Sequence, residues 1–282
     1  MTVEACAKVN LSLEVYGKRP DGYHALRSLV VPISLADTLT VETTADGSLT
    51  SDTGFADDLC VRAAHVLQSC SSCPSHSSCP GARIRVTKRI PVGGGLGGGS
   101  ADAAATLRAL NELWRLGKTP EELAQIGAAV GSDVPALVLA QHYRLPVLME
   151  GRGEKVSLAE QGCECACPIV LANPGVSVST AEIYRLCTPR TVPATAPVND
   201  LQEPAIRRHP EIARTLDALR SAGATDVRMS GSGATCFGFA PDEASTERIA
   251  ATLARAGLRS WVSRFSTTGS LDSAVSLRPF RS

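Results

Sequence analysis

The chain has 282 residues, 44% apolar and 20% charged, with 28 basic side chains against 28 acidic ones, the composition of one or two globular domains. Zero net charge leaves no global field for nucleic acid or an anionic membrane, and 4% aromatics remove the stacking platforms of a single-strand binder. No apolar run reaches the length of a membrane span, and the start at Met1-Thr2-Val3-Glu4 lacks the basic and apolar regions of a signal peptide, so the expectation is a cytoplasmic protein.

In chain order, strands are expected at residues 5–15, 28–34 and 38–43, with Asp37 as punctuation before the last and a Pro20-Asp21-Gly22 turn after the first. A helix follows at 57–69, with apolar positions Leu59, Ala63, Val66 and Leu67. Residues 69–80 are mostly Ser, Cys and Pro and read as a loop. A strand at 83–87 leads into a glycine-rich loop, and that loop into an Ala- and Leu-rich helix at 101–116. A shorter helix at 120–130 has Thr119 as its cap, Pro120 at its first position and Gly131 as its stop.

After Gly151-Arg152-Gly153-Glu154 the composition changes. Residues 168–173 read as a short buried strand and 188–204, rich in proline, as a surface excursion. Helices at 210–222 and 242–256 alternate with strands at 227–229, 235–239 and 258–265. That is an α+β unit with helices over one face of an antiparallel sheet. The expected division is therefore an N-terminal domain over 1–157 and a C-terminal domain over 158–282.

The chain carries 10 cysteines. Cys70, Cys73, His76 and Cys79 are ligand types that zinc accepts, but the second pair of a standard site is missing. Cys163, Cys165 and Cys167 alternate too tightly for a knuckle. In a reducing compartment the expectation is free thiols, with no metal bound.

The chemistry concentrates in Pro91-Val92-Gly93-Gly94-Gly95-Leu96-Gly97-Gly98-Gly99-Ser100-Ala101. A strand, a glycine loop and a helix start make a phosphate site: missing Cβ atoms let backbone N–H groups approach the oxygens, and the helix N-terminus adds donors and a positive dipole end. The dinucleotide fingerprint fits Gly93, Gly95 and Gly98, but no acidic residue closes a second strand about twenty positions on. The Walker pattern fails because Gly99, and not Lys, precedes Ser100. Three more segments can join this loop. Lys8 and Asn10 lie on one face of the first strand, opposite Ala7 and Val9. Asp133 follows a helix end in Gly131-Ser132-Asp133-Val134-Pro135. A second glycine loop occupies residues 229–236. A phosphate cradle, a cation, a carboxylate and a second glycine loop suit phosphoryl transfer to a hydroxyl.

These segments, with Arg19-Pro20-Asp21-Gly22-Tyr23-His24 between them, resemble the GHMP kinase superfamily in order and spacing over nearly the whole chain. The Arg-Pro-Asp-Gly-Tyr-His motif after Ala7-Lys8-Val9-Asn10 is similar to its branch acting on cytidine diphosphate-methylerythritol. The resemblance implies a two-domain α+β fold, an N-terminal sheet-and-helix ATP-binding domain and a C-terminal ferredoxin-like domain, with the active site in the cleft between them. It implies ATP with Mg²⁺ and phosphorylation of the substrate's 2-hydroxyl, in non-mevalonate isoprenoid precursor synthesis, by a monomer or weak homodimer. Lys8 and Asp133 would be the catalytic pair. Lys88, Pro91 and the run from Gly93 through Gly94, Gly95, Leu96, Gly97, Gly98, Gly99 and Ser100 to Ala101 would hold the nucleotide. Asn10, Tyr23, His24, Thr180 and Tyr184 would hold substrate, with His24 hydrogen-bonded to the cytosine and Tyr23 and Tyr184 stacked on its two faces.

The chain departs from the family pattern at Asp58, where Asn is usual near the adenine, after Pro135, and in the cysteine-rich residues 69–80. A homoserine or sugar kinase of the same superfamily would need no cytidine and give His24 and Tyr184 no role. A nucleotide sensor without activity would be free to lose Lys8 or Asp133.

Overall fold

Two long strands open the chain and form the spine of its first sheet. In the computed structural model, which describes residues 1–20, 22–70, 80–159 and 167–265, β1 (Thr2–Lys18) and β2 (His24–Thr44) pair antiparallel along most of their length. The Gly22 N–H donates to Arg19 O at 3.0 Å to close the turn between them; Asp21 lies outside the described residues. On its other edge β2 pairs with two strands in succession: β5 (Val147–Gly151) along its first half and β4 (Gly81–Thr87) along its second. β3 (Leu49–Ser51) joins β4 in parallel, and β6 (Lys155–Leu158) joins β5, so the division expected at 157/158 falls inside the last strand of this six-stranded sheet.

β2 is one strand, where the sequence pattern suggests a break at Asp37. The reason is that the Asp37 carboxylate is fully buried and satisfied: it accepts from Ile90 N at 2.8 Å and from Arg89 N, and it pairs with Lys88. A residue that reads as turn punctuation is here an internal acceptor.

Four helices pack on this sheet: α1 (Leu59–Ser69), α2 (Gly98–Leu113), α3 (Pro120–Gly127) and α4 (Val134–Tyr143). Asp58 caps α1, accepting from Cys60 N at 2.7 Å and Val61 N at 3.3 Å. Thr119 and Glu122 form the reciprocal capping box of α3, which ends at Gly127, short of the expected stop. α4 is absent from the sequence-based expectation. Its residues from Val134 to Gln141 are all buried, so it lacks the polar face that makes a helix visible by periodicity.

The second unit runs β7 (Pro168–Asn173), α5 (Thr180–Leu186), α6 (Gln202–Arg208), α7 (Glu211–Ser221), β8 (Thr225–Met229), β9 (Cys236–Phe239), α8 (Glu243–Arg255) and β10 (Arg259–Arg264). Its sheet order, β10-β7-β9-β8, with all pairs antiparallel, is the ferredoxin-like arrangement expected from the sequence. The proline-rich stretch before α6 is more than a surface excursion. Arg190 N donates to Val15 O and Leu13 N to Val198 O, each at 2.7 Å, binding this segment to the second half of β1. Leu13 and Val15 thereby enter the core of the second unit, while Val9 and Leu11 stay in that of the first.

Cys6, Cys60, Cys70, Cys187 and Cys236 are free thiols. Cys167 is disulfide-bonded, against the expectation of reduced thiols throughout. Cys73, His76, Cys79, Cys163 and Cys165 lie outside the described residues.

Candidate active site

A cleft of about 400 Å³ runs between the two units, lined by β1, the glycine loop, the start of α4, α5 and the loop before β9. Lys8 reaches it from the middle of β1. The β1–β2 register shifts between Cys6 and Lys8 and again between Asn10 and Ser12, and such irregularities re-aim side chains next to a site. Lys8 Nζ donates to Asn10 Oδ1 at 2.6 Å and to Gly95 O at 3.0 Å, with the residue 3% exposed. Asn10 is fixed in turn, because its Nδ2 donates to Ser28 Oγ at 2.8 Å and Ser28 donates to Ser12 O at 2.6 Å. The face shared by Lys8 and Asn10 is as expected from alternation. Their complete burial is what alternation does not reveal.

Asp133 is the N-cap residue of α4, but its carboxylate caps nothing. It stands 3.5 Å from Lys8 Nζ through Oδ2, with the side chain 32% exposed to the cleft. A carboxylate free of structural duty, facing a buried ammonium at the mouth of a phosphate loop, can accept a proton from a bound hydroxyl while the lysine steadies the developing oxyanion.

The glycine loop justifies its glycines one by one. Gly95 has φ +77°, and a Cβ there would strike Ser230 O. Gly97 has φ +69°, and a Cβ would lie 3.0 Å from Lys8 Cε. Both values are in the left-handed region that side chains disfavour. Gly97 caps α2 without a side-chain partner, so the first N–H groups of that helix are left to the cleft. Pro91, Gly93, Gly94, Gly95, Gly97, Gly98, Gly99 and Ser100 line the cleft, whereas Leu96 and Ala101 are buried behind it. Leu96 acts through its backbone: its carbonyl accepts Lys8 N at 3.1 Å and ties the loop to β1.

Lys88 borders the cleft, but its ammonium is taken up by Asp37 and, at 2.7 Å, by Asp102 Oδ2. Burial pushes the Asp102 carboxyl up to about 7, with Lys88 opposing and Asp37 reinforcing the rise. Burial depresses Lys88, yet hydrogen bonds and charge from Asp102 and Asp37 outweigh it and raise its pKa. Sequence reasoning misses Asp37 and Asp102; an acid in the first turns of an Ala-rich helix carries no signal that a lysine on another element will meet it.

The aromatic residues differ from the expected sandwich. His24 and Tyr184 are stacked on each other, with centroids 5.8 Å apart and planes 25° apart. Tyr23 is 53% exposed, and the Arg152 guanidinium lies over its ring at 5.4 Å. Neither Tyr23 nor His24 lines the cleft described above. Tyr184 lines the cleft. Burial, and then the charges of Asp133 and Cys187, push its phenol pKa up. Thr180, also in the cleft wall, shares a 2.8 Å hydrogen bond with Ser232.

The second glycine loop closes the site from the C-terminal unit. Ser230 Oγ donates to Gly95 O at 3.0 Å, and Thr235 N donates to Gly94 O at 3.1 Å. A Cβ on Gly231 would lie 3.4 Å from Lys8 Nζ. Thr53, Phe55, Asp57 and Leu59 add a wall at the far end that the sequence motifs do not single out. Asp58, on the same wall, is occupied by its own helix and by Thr53. Burial raises its pKa, but hydrogen bonds from Thr53, Ser51 and two N–H groups outweigh this and hold it below the usual carboxylate value.

Residues 58–141 match the N-terminal domain of the GHMP kinases, and residues 193–258 match their C-terminal domain. A 4-diphosphocytidyl-2-C-methyl-D-erythritol kinase of Ruegeria pomeroyi is 40% identical, over 93% of this chain and 97% of the relative. The chain belongs to the 4-diphosphocytidyl-2-C-methyl-D-erythritol kinase family of the GHMP kinases. A second such kinase, of Brevibacillus brevis, is 36% identical over 88% of this chain and 90% of its own. A crystal structure of 4-(cytidine 5'-diphospho)-2C-methyl-D-erythritol kinase superposes with a TM-score of 0.79 at 34% identity, covering 94% of this chain and 99% of that one. A mevalonate kinase structure, at 14% identity and a TM-score of 0.66 over 95% of this chain and 99% of that one, shares the fold alone. As a GHMP kinase, the chain uses ATP. No helix among the described residues is long and apolar enough to cross a membrane.

Proposed function

We propose that this chain transfers the γ-phosphoryl group of ATP to the 2-hydroxyl of 4-diphosphocytidyl-2-C-methyl-D-erythritol, in non-mevalonate isoprenoid precursor synthesis. The observation that carries this is the Lys8–Asp133 pair, 3.5 Å apart across the mouth of the glycine loop, with Tyr184 of the C-terminal unit in the cleft wall and His24 of β2 stacked on it. The nucleotide triphosphate lies along the loop from Gly93 to Ser100, held by N–H groups where Cβ atoms are missing. The acceptor hydroxyl sits between Asp133, which takes its proton, and Lys8, which lowers the cost of its negative charge. Asn10 holds Lys8 in place and contributes to the substrate wall. Cytosine is read at His24 and Tyr184, with Thr180 near the diphosphate and Tyr23 at the rim.

Mg²⁺ fits the donors present. The Ser100 hydroxyl lines the cleft at the start of α2, and Mg²⁺, which keeps several waters and binds largely through substrate phosphates, would need few other protein donors there. Such an ion would neutralise charge on the phosphate chain. ATP binding falls to the first unit, expected over 1–157 and ending with β6, and the second unit, beginning at β7, closes the site. Every residue involved comes from one chain, so a cytoplasmic monomer or weak homodimer would serve. The test is product identification: incubation with ATP and the cytidine substrate should give ADP and a new phosphomonoester by ³¹P NMR, coupled to no methylene proton. ATP consumption without that ester would refute the assignment.

A further inference from the structure

Away from the cleft, the C-terminal half of α2, the loop leading to α3 and His142 of α4 enclose a second cavity of about 540 Å³. Three cations line it, Arg108, Arg115 and Lys118, against one acid, Glu112. None of the three forms an ion pair with a carboxylate among the described residues, and the guanidinium of Arg108 donates to a neutral partner, Gln141 Oε1, at 3.0 Å. Elsewhere arginines facing the interior are matched, as Arg190 is by Asp200 at 2.7 Å.

Arg108 is largely buried, and burial holds its pKa below the usual arginine value. A guanidinium still keeps its proton in a protein, so a positive charge stands in the cavity wall, with the charge of Glu112 partly offsetting it and that of Arg144 adding to it. The C-terminus of α2 offers only about half a negative charge in compensation. The loop is also stiff. Asn111 grips Lys118 at both its N–H and its carbonyl, each at 3.0 Å. Arg115, at φ 53°, is the left-handed residue of the C-terminal cap of α2, with its N–H bonded to Glu112 O at 3.1 Å and the Leu116 N–H bonded to Asn111 O at 3.0 Å. These bonds fix the backbone that carries Arg115 and Lys118.

We propose that this cavity is a second anion site, which takes a small molecule bearing a di- or triphosphate group. Planar guanidinium forks and an ammonium at one cavity mouth are the donors that phosphate oxygens select. The site is physically tied to the cleft. Gln141, which accepts from Arg108, donates through Nε2 to Ala101 O at 3.2 Å, in the first turn behind the glycine loop. The same Nε2 donates to Cys6 O at 3.3 Å, beside the register shift that sets Lys8.

The test is calorimetric titration of inorganic tripolyphosphate into protein whose cleft is already saturated with a non-hydrolysable ATP analogue and CDP. One further equivalent should bind, with an affinity that falls as salt rises. The double variant Arg115→Ser/Lys118→Ser, altering two side chains outside the core, should weaken that equivalent by about tenfold or more. Arg108→Gln should do the same in protein whose melting is unchanged. Absence of binding to the saturated wild type would overturn the proposal, as would equal binding by the double variant, because the glycine loop would not respond to Arg115 or Lys118. The readout is binding, so it stands or falls independently of turnover.

Discussion

Replacing Asp133 by Asn separates the chemistry of the site from its architecture. The carboxylate caps no N–H of α4, is partly exposed, and meets Lys8 at 3.5 Å, while Lys8 retains Asn10 Oδ1 and Gly95 O as acceptors. A partly solvated pair of this kind contributes about 0–1 kcal/mol, a Tm change of about 2–4 °C or less in a chain of this size. The amide has the same shape but cannot take the proton of an attacking hydroxyl. Losing a general base costs about 10²–10⁴-fold, or roughly 3–5 kcal/mol of barrier. The expectation is therefore a kcat lowered by two to four decades in a coupled ADP-release assay, on the order of a general-base loss. Calorimetric affinity for an ATP analogue should stay within about twofold, since the phosphate donors belong to the glycine loop. A variant that keeps its kcat within about tenfold of wild type would remove Asp133 as the base and leave Lys8 acting by electrostatics alone.

Gly97→Val should weaken ATP binding far more than CDP binding, because φ +69° disfavours a β-branched residue and its Cβ would meet Lys8 Cε at 3.0 Å; equal loss for both ligands by calorimetry would contradict this. His24→Ala and Tyr184→Ala should each weaken CDP binding by about 1–3 kcal/mol with ATP affinity retained, and Tyr184→Phe should be tolerated; lowered Tm with intact CDP affinity would assign the two rings to stability instead. Asp102, raised to about 7 in the fold from an ordinary unfolded value near 3.9, binds more protons folded than unfolded, so its contribution to stability falls as pH rises from about 4 to 7. Asp102→Asn should accordingly flatten the decline in Tm between pH 5 and pH 8, and an unchanged slope would refute the raised carboxyl.

The strand, glycine loop and helix around residues 83–113 were legible because each step has a local cause: alternation, missing Cβ atoms, then helix formers. The ferredoxin-like unit was legible for the same reason, as its helices α7 and α8 are amphipathic and its strands short and apolar. What escaped depends on partners distant in sequence. Asp37 looks like a turn residue until Lys88, fifty-one positions on, is brought to it. α4 hides because burial on every side erases periodicity, although Pro135 after Asp133 marks its start. The fold brings Lys8, Asn10, Asp133, Thr180, Tyr184 and the glycine loop to one cleft. Neither the burial of Lys8 nor the different partners of Tyr23 and His24, Arg152 and Tyr184, can be read from a motif, because both depend on where strand registers shift and which way a turn delivers the chain.

The central claim, a kinase selective for a cytidine diphosphate-linked alcohol, is tested most directly by kcat/KM for ADP release with 4-diphosphocytidyl-2-C-methyl-D-erythritol, homoserine, galactose and mevalonate offered separately. The stacked His24–Tyr184 pair beside Asp133 predicts turnover of the cytidine substrate at least about 10³-fold above the other three, since a site that pairs a polar base edge rejects compounds lacking it. Comparable turnover of homoserine, galactose or mevalonate, or no turnover of the cytidine substrate by well-folded protein, would contradict it.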